Sequence, residues 1–341
     1  MLCYTENRNH WTMQQKERNM EYRKLGKTNI EVSRLGFGTL TMGFSQRNLS
    51  CEEGAALIGY AVRRGVSFLD TAEYYDTYPY IRPALDARKA EGLPLPVISS
   101  KSLCADYDGM RRAVEESLHA LNLPVIDIFL LHEVMGMDDF AARSGAWEAL
   151  KDCRKEGLIR AMGVSTHHID VAEGMAQEEA CDVLFPLINL NSLGIRHYEE
   201  AGTKEDMEAA ILACAEKGIG VFTMKAFGGG NLTKDYVKCL DYASQIPGNA
   251  AVMIGLSSTD EIDKAIAYFE GTLPDNYEPD ISKKTMIVEK SDCIGCGRCI
   301  RRCSSKAIHW GADGLAEIDQ SKCLKCGYCG PVCPMRAIIL L

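Results

Sequence analysis

From about residue 35 to residue 270 the chain alternates two kinds of apolar pattern. Short, nearly continuous apolar runs occur at 34–40 (RLGFGTL), 66–70 (VSFLD), 95–101 (LPVISSK) and 125–132 (VIDIFLLH). Four more follow at 159–165 (IRAMGVS), 182–189 (DVLFPLIN), 218–225 (GIGVFTMK) and 250–256 (AAVMIGL). Between them lie longer segments such as EEGAALIGYAVRRG, MRRAVEESLHAL, AWEALKDCRKEG and MEAAILACAEKG, whose apolar residues recur every three to four positions and several of which end at Gly. The first pattern predicts buried parallel strands, the second amphipathic helices. Eight such βα units predict an α/β fold, a (β/α)8 TIM barrel. An open doubly wound sheet uses the same alternation, but no G-x-G-x-x-G follows the first strand. YRKLGKTNIEVS at 22–33 reads as a hairpin closing the bottom of the barrel.

After residue 270 the pattern breaks. GTLPDNYEPDISKK is rich in Pro, Asp and Gly and reads as a linker. A compact cysteine-rich segment follows, with short strands expected in TMIVEK and AIHWGADGLAEI. The expected organisation is a disordered lead-in over 1–19, the barrel over 20–270, the linker over 271–284, and a small α+β domain over 285–341.

Charge separates the two parts. Residues 281–341 carry ten Lys and Arg against five Asp and Glu; the remainder carries 28 against 42. An acidic main body argues against a nucleic-acid partner. No stretch approaches the roughly 20 apolar residues needed to span a membrane. The first 20 residues, MLCYTENRNHWTMQQKERNM, are polar and lack an export signal. With eight of the fifteen cysteines in two tight groups, this indicates a reducing cytoplasm rather than a disulfide framework. The other seven (Cys3, Cys51, Cys104, Cys153, Cys181, Cys214, Cys239) read as buried or incidental thiols.

Cys293, Cys296, Cys299 and Cys303 have the spacing C-x2-C-x2-C-x3-C, and Cys323, Cys326, Cys329 and Cys333 repeat it with Pro334 following. Zinc sites are built from separated CxxC pairs and match this poorly. The segment 285–341 resembles a bacterial two-cluster ferredoxin, which implies two [4Fe–4S] clusters. In that arrangement the fourth cysteine of each run serves the other run's cluster. One ligand set is then Cys293, Cys296, Cys299 and Cys333, and the other is Cys323, Cys326, Cys329 and Cys303. The local basic charge offsets the negative charge of such clusters, and the acidic barrel favours docking with it.

Catalytic groups of a TIM barrel stand at the C-terminal ends of its strands. Asp70 ends the second strand with Tyr75 just beyond, Lys101 ends the third, and His132 ends the fourth. These types suit carbonyl reduction. Hydride arrival leaves negative charge on oxygen, which needs a proton. Tyrosine is a poor acid near neutrality unless a neighbouring Lys lowers its pKa. Asp70 would hold Lys101, and His132 would orient the carbonyl.

The pieces LGFGT, DTAEYY, ISSK, IFLLH, GLIRAMGVST and IPGNAAVMIGLSS resemble the aldo-keto reductase family over about residues 20–270. That resemblance implies a catalytic tetrad of Asp70, Tyr75, Lys101 and His132; the D-x-A-x-x-Y spacing selects Tyr75 over Tyr74. It also implies a nicotinamide cofactor, NAD(H) or NADP(H). The positions matching its nicotinamide-amide contacts are Ser165, Thr166 and Asn189, two of them altered, and Met224 stands where the family stacks an aromatic ring. KAFGGG, with Lys225 and Gly228, offers backbone N–H groups to a pyrophosphate, and Gly255 and Ser257 follow the last strand. No Lys or Arg precedes Lys264 there, while Asp260 and Glu261 do, which favours NAD(H). His167, His168 and His197 lack ligand spacing with any carboxylate or thiol, so the barrel mouth is not read as a metal site.

The sequence therefore suggests an oxidoreductase acting on a small carbonyl or alcohol, with clusters for electron transfer and a possible electron-transfer partner protein. Two alternatives stand beside it: a reductase fed through its clusters without nicotinamide, and a non-catalytic carrier or redox sensor.

Overall fold

The computed structural model describes residues 20–198 and 200–341; the expected lead-in over 1–19 lies outside them. A two-stranded hairpin, β1 (Tyr22–Lys24) with β2 (Glu31–Ser33), precedes the barrel. The barrel strands are β3 (Leu35–Gly38), β4 (Phe68–Asp70), β5 (Val97–Ser102), β6 (Ile126–Val134), β7 (Ile159–Thr166) and β8 (Val183–Pro186). A short ribbon, β9 (Arg196–His197) with β10 (Glu200–Ala201), intervenes before β11 (Gly220–Met224) and β12 (Asn249–Gly255). All eight expected strands form, each parallel to its neighbour, and β12 closes onto β3.

Side-chain alternation explains the closure. Strand β6 sends Ile128 and Leu130 into the barrel, where they meet Phe68, Phe185 and Phe222, and turns Phe129 and Leu131 outward to the helices. The helices start where their sequences direct: Ser50 and Glu53 form a capping box on helix Cys51–Arg63, and Asp106 caps helix Tyr107–Leu121. The hairpin plugs the bottom. Leu25 and Ile30 are buried inside the barrel, and Lys27 N–H donates to Gly218 O at 2.8 Å. Gly26 makes the approach possible, since it has φ +48° and a Cβ there would stand 2.2 Å from Gly218 O.

Residues 285–341 form a second unit with its own core of Met286, Cys299, Ile308, Ala316, Cys329, Ile338 and Leu340. Strand β13 (Met286–Val288) pairs with β16 (Ile338–Leu340), and β14 (Ile308–Trp310) with β15 (Ala316–Ile318). The backbone repeats as the cysteines do, about thirty residues apart: Gly297 matches Gly327, and Lys306 (φ 54°) matches Arg336 (φ 55°). The sequence pattern assigns no strand to 338–340. Pairing with β13, some fifty residues away, creates it.

Strand β16 also faces the barrel. Leu340 N–H donates to Gly229 O at 2.9 Å, Asn231 Nδ2 to Ile338 O at 2.8 Å, and Gln46 Nε2 to Glu289 Oε2 at 2.8 Å. The cysteine unit thus stands on the C-terminal mouth. Among the described residues no helix is long and apolar enough to cross a membrane.

Candidate active site

Four side chains meet at the C-terminal mouth. Lys101 Nζ donates to both oxygens of Asp70, at 2.9 and 2.8 Å, and to Thr71 O at 2.6 Å. Both partners are almost wholly buried. Tyr75 closes the short 3-10 turn Glu73–Tyr75 after β4; its OH lies 3.3 Å from His132 Nε2, and the two rings meet edge to face at 5.4 Å. Lys101 Nζ stands 4.8 Å from the centre of the Tyr75 ring. The neighbouring Tyr74 is exposed and packs on Phe44 instead.

The Asp70–Lys101 pair yields a stability prediction. Burial pushes the Asp70 carboxyl up and the Lys101 ammonium down, and their contact opposes both shifts. Removing one partner strands the other's charge, at a cost of about 3–5 kcal/mol. Asp70→Asn is expected to lower the urea midpoint accordingly, and Asp70→Leu combined with Lys101→Met to recover most of the loss. An unchanged midpoint in Asp70→Asn would show that the pair is solvated.

Protonation departs from the sequence expectation in one respect. The net shift of Tyr75 is upward rather than downward. Burial raises the Tyr75 pKa well above its ordinary value, and Asp70, Glu133, Asp292 and Glu289 add to the effect. Tyr75 is therefore held as a phenol. His132 is held neutral: burial, then Lys101, Arg143 and Lys225, push it well below the usual histidine range. Sequence reasoning missed Arg143, which is buried and donates to His132 O at 2.9 Å and Ser102 O at 3.2 Å, tying the ends of β5 and β6 together. Its place in a helical segment gives no signal for that role.

A cavity runs from Asp70 and Tyr75 past Phe185, Met224 and Lys225 to Gly255, Ser257, Glu261 and Lys264. Ile339, Leu340 and Leu341 wall one side of it. The expected amide contacts are not in its lining. Ser165 Oγ accepts from Glu133 N at 2.9 Å, and Thr166 Oγ1 donates to Val134 O at 2.7 Å. Asn189 accepts from Leu193 N and donates to Leu193 O, both at 2.9 Å. All three are buried; Ser165 and Thr166 bond to the end of β6, and Asn189 to its own loop. Gly228 also differs from expectation: its N–H donates to Lys225 O at 2.7 Å, and it is Gly229 and Gly230 that line the cavity. At the far end, Glu261 accepts from Ser257 N and Oγ and pairs with Lys284. Lys284, from the segment after the barrel, brings a cation that a search limited to the last barrel strand does not find.

In the second unit, a small cavity is lined by Cys293, Cys296, Cys299 and Cys333. The fourth cysteine of one run thus stands with the first three of the other. Cys303 Sγ accepts from Ala307 N at 3.3 Å and Cys333 Sγ from Ala337 N at 3.2 Å, equivalent positions of the repeat. Hydrogen bonds to sulfur are a normal feature of cluster ligands. Among the described residues no three His, Cys, Asp or Glu side chains converge on one ion. A cubane, which takes its thiolates at separate corners, fits this spread donor set better than a single metal does. Of the remaining thiols, Cys153, Cys181, Cys214 and Cys239 are buried, Cys104 is half-buried and Cys51 is exposed.

Residues 34–242 match the aldo/keto reductase family, and residues 286–341 match a 4Fe-4S dicluster domain. L-galactose dehydrogenase of Arabidopsis thaliana is 26% identical, over 45% of this chain and 50% of its own length. D-threo-aldose 1-dehydrogenase of a Pseudomonas species is 24% identical, over 61% and 70%. A crystal structure from Pseudomonas aeruginosa assigned to the aldo-keto reductases superposes with TM-score 0.61 at 26% identity, covering 74% of this chain and 96% of that one. The holo form of an aldo-keto reductase from Bacillus halodurans superposes at 0.62 with 19% identity, covering 75% and 94%, and shares the fold.

Proposed function

The chain belongs to the aldo/keto reductase family, extended at its C-terminus by a 4Fe-4S dicluster domain, and on that premise we propose that it reduces a small carbonyl compound with a nicotinamide nucleotide. The observation that carries the reading is the junction of Tyr75 and Asp70 with a cavity long enough to continue past Met224 to Lys264. Nicotinamide, when bound, supplies a hydride to the carbonyl carbon. His132, neutral and buried, orients the carbonyl oxygen beside the Tyr75 hydroxyl. Tyr75 gives its proton to that oxygen as the hydride arrives, so the carbonyl becomes an alcohol. Lys101, 4.8 Å from the ring, then bears against the phenolate until solvent restores the proton. Met224, Gly229, Gly230, Gly255 and Ser257 line the path for the nucleotide. Two [4Fe–4S] clusters, when held by the eight cysteines in crossed sets, supply one-electron storage beside the mouth.

One observation favours a second reading, in which electrons enter through the clusters and no nicotinamide is used: Ser165, Thr166 and Asn189 bond inward. Anaerobic titration of the cluster-loaded protein with NADH and NADPH, followed by absorbance and EPR, separates the two. The reductase reading expects binding at micromolar nucleotide. No binding at millimolar nucleotide would end the nicotinamide reading and leave the cluster-fed route and the non-catalytic carrier.

NADH is expected to be preferred. The far end of the cavity carries Asp260, Glu261 and Asp280 against Lys264 and Lys284. A 2′-phosphate meets net negative charge there. Glu261→Gln removes one carboxylate and frees Lys284, so the NADPH-to-NADH ratio of kcat/KM is expected to rise about tenfold, the equivalent of ~1.4 kcal/mol. An unchanged ratio would mean that the 2′-hydroxyl lies elsewhere.

A further inference from the structure

Arg336 is anomalous. It sits three residues beyond Cys333 and is only 2% exposed, yet among the described residues its Nε, Nη1 and Nη2 all lack a hydrogen-bond partner. Burying a charged group without partners is costly, and such groups normally persist where something completes them. The fold of the cysteine unit does not demand a buried cation at this position. Its counterpart in the repeat, Lys306, has the same backbone conformation and lies in solvent.

Its placement indicates the partner. A Cβ on Gly229 would stand 3.1 Å from Arg336 Nη1, and Gly229 lines the active-site cavity. Lys225 lines the same cavity, with a left-handed backbone of φ 66°. Burial, then Arg336, lowers its pKa to about 8, with Asp292, Glu289 and Glu133 acting the other way. The same two cations act on His167, which also feels His168 and His132. Asp292, Glu133 and Glu289 act on both cations from a distance, and the Cys333 thiol on Arg336, but among the described residues no carboxylate reaches ion-pair distance of Arg336 or Lys225. Lys225 on the cavity wall and Arg336 packed directly behind Gly229 of that wall thus have their close anion positions unfilled.

We propose that Arg336 and Lys225 form an anion subsite that seats a carboxylate of the carbonyl substrate. The proposal rests on the reductase reading and deepens it: the substrates are oxo acids, and the cysteine unit itself contributes to their recognition. The planar guanidinium offers paired N–H donors that match a carboxylate, while Lys225 adds a point charge.

The test uses full-length, cluster-loaded protein under anaerobic conditions with NADH. kcat/KM is measured for pyruvate against methyl pyruvate and for 4-oxobutanoate against its methyl ester. The wild type is expected to prefer the acid by about 30-fold or more in at least one pair. Arg336→Gln is expected to collapse that ratio to within about threefold, and Arg336→Lys to restore part of it, with cluster absorbance confirming intact clusters in each. Equal use of acid and ester by the wild type, or a preference that survives in Arg336→Gln, overturns the proposal. If no carbonyl is reduced at all, calorimetric titration with oxamate decides. Binding to the wild type and not to Arg336→Gln upholds the subsite and moves the failure to the reductase reading; no binding to either overturns the subsite.

Discussion

Tyr75→Phe is expected to lower kcat for carbonyl reduction by about 10²- to 10⁴-fold, the range for losing a positioned general acid. The substitution removes one oxygen and keeps the ring. The edge-to-face contact with His132 at 5.4 Å and the approach of Lys101 at 4.8 Å both survive, so the local fold is retained. The loss then falls on the proton alone. His132 cannot replace it fully, because burial and nearby cations keep it from beginning as an imidazolium, and a neutral imidazole is a far weaker acid than a phenol. NADH affinity and cluster absorbance serve as internal controls and are expected to hold. A pure electron carrier would lose nothing on this substitution, so an unchanged rate of substrate reduction rules out the tetrad reading.

The raised Tyr75 pKa has a consequence for the pH profile. A group held protonated through neutrality gives no alkaline limb near pH 10, and a His132 held neutral gives no acid limb near pH 6.5. Neither ordinary signature is a reliable guide to this site.

The sequence displays the barrel clearly because each strand is a short apolar run bounded by a helix pattern, and both periodicities are local. The four residues at the mouth are legible for the same reason: Asp70, Lys101 and His132 lie at or near the C-terminal ends of strands, and Tyr75 in the short turn just after β4. The residues that escaped depend on distant partners. Strand β16 exists through pairing with β13, and Lys284 reaches Glu261 from beyond the barrel. Arg336 looks like one more basic residue of a ferredoxin-like tail, and only the docking of that tail against Gly194 and Gly229 buries it. Ser165, Thr166 and Asn189 illustrate the converse. Their types and positions suit a ligand, but short polar side chains at strand ends also satisfy nearby backbone, and here Ser165 and Thr166 bond the end of β6 and Asn189 its own loop.

Removal of iron is expected to unfold residues 285–341 and open the active-site cavity while the barrel remains folded. A unit this small rarely supports itself on apolar burial. Its core holds seven buried side chains, two of them the cysteines Cys299 and Cys329, so metal binding and folding are one event. Strand β16 belongs to that core and to the cavity wall at once. Chelation under anaerobic, reducing conditions is therefore expected to cut hydrogen-exchange protection in β13 and β16 by about 10³-fold or more. The amides of β4 to β7 are expected to keep theirs, and NADH affinity to fall with the loss of the wall formed by Ile339 to Leu341. Protected amides in β16 without iron would mean that the contacts to Gly229 and Asn231 hold the unit alone. The crossed ligand sets sharpen the test. Cys333→Ala and Cys303→Ala should each lose about half of the bound iron, but from different clusters. Only Cys333→Ala removes a thiol from the cavity shared with Cys293, Cys296 and Cys299, three residues from the buried Arg336, and so only that variant should weaken NADH binding. Equal effects of the two variants on NADH would show that neither cluster is specifically coupled to the barrel mouth.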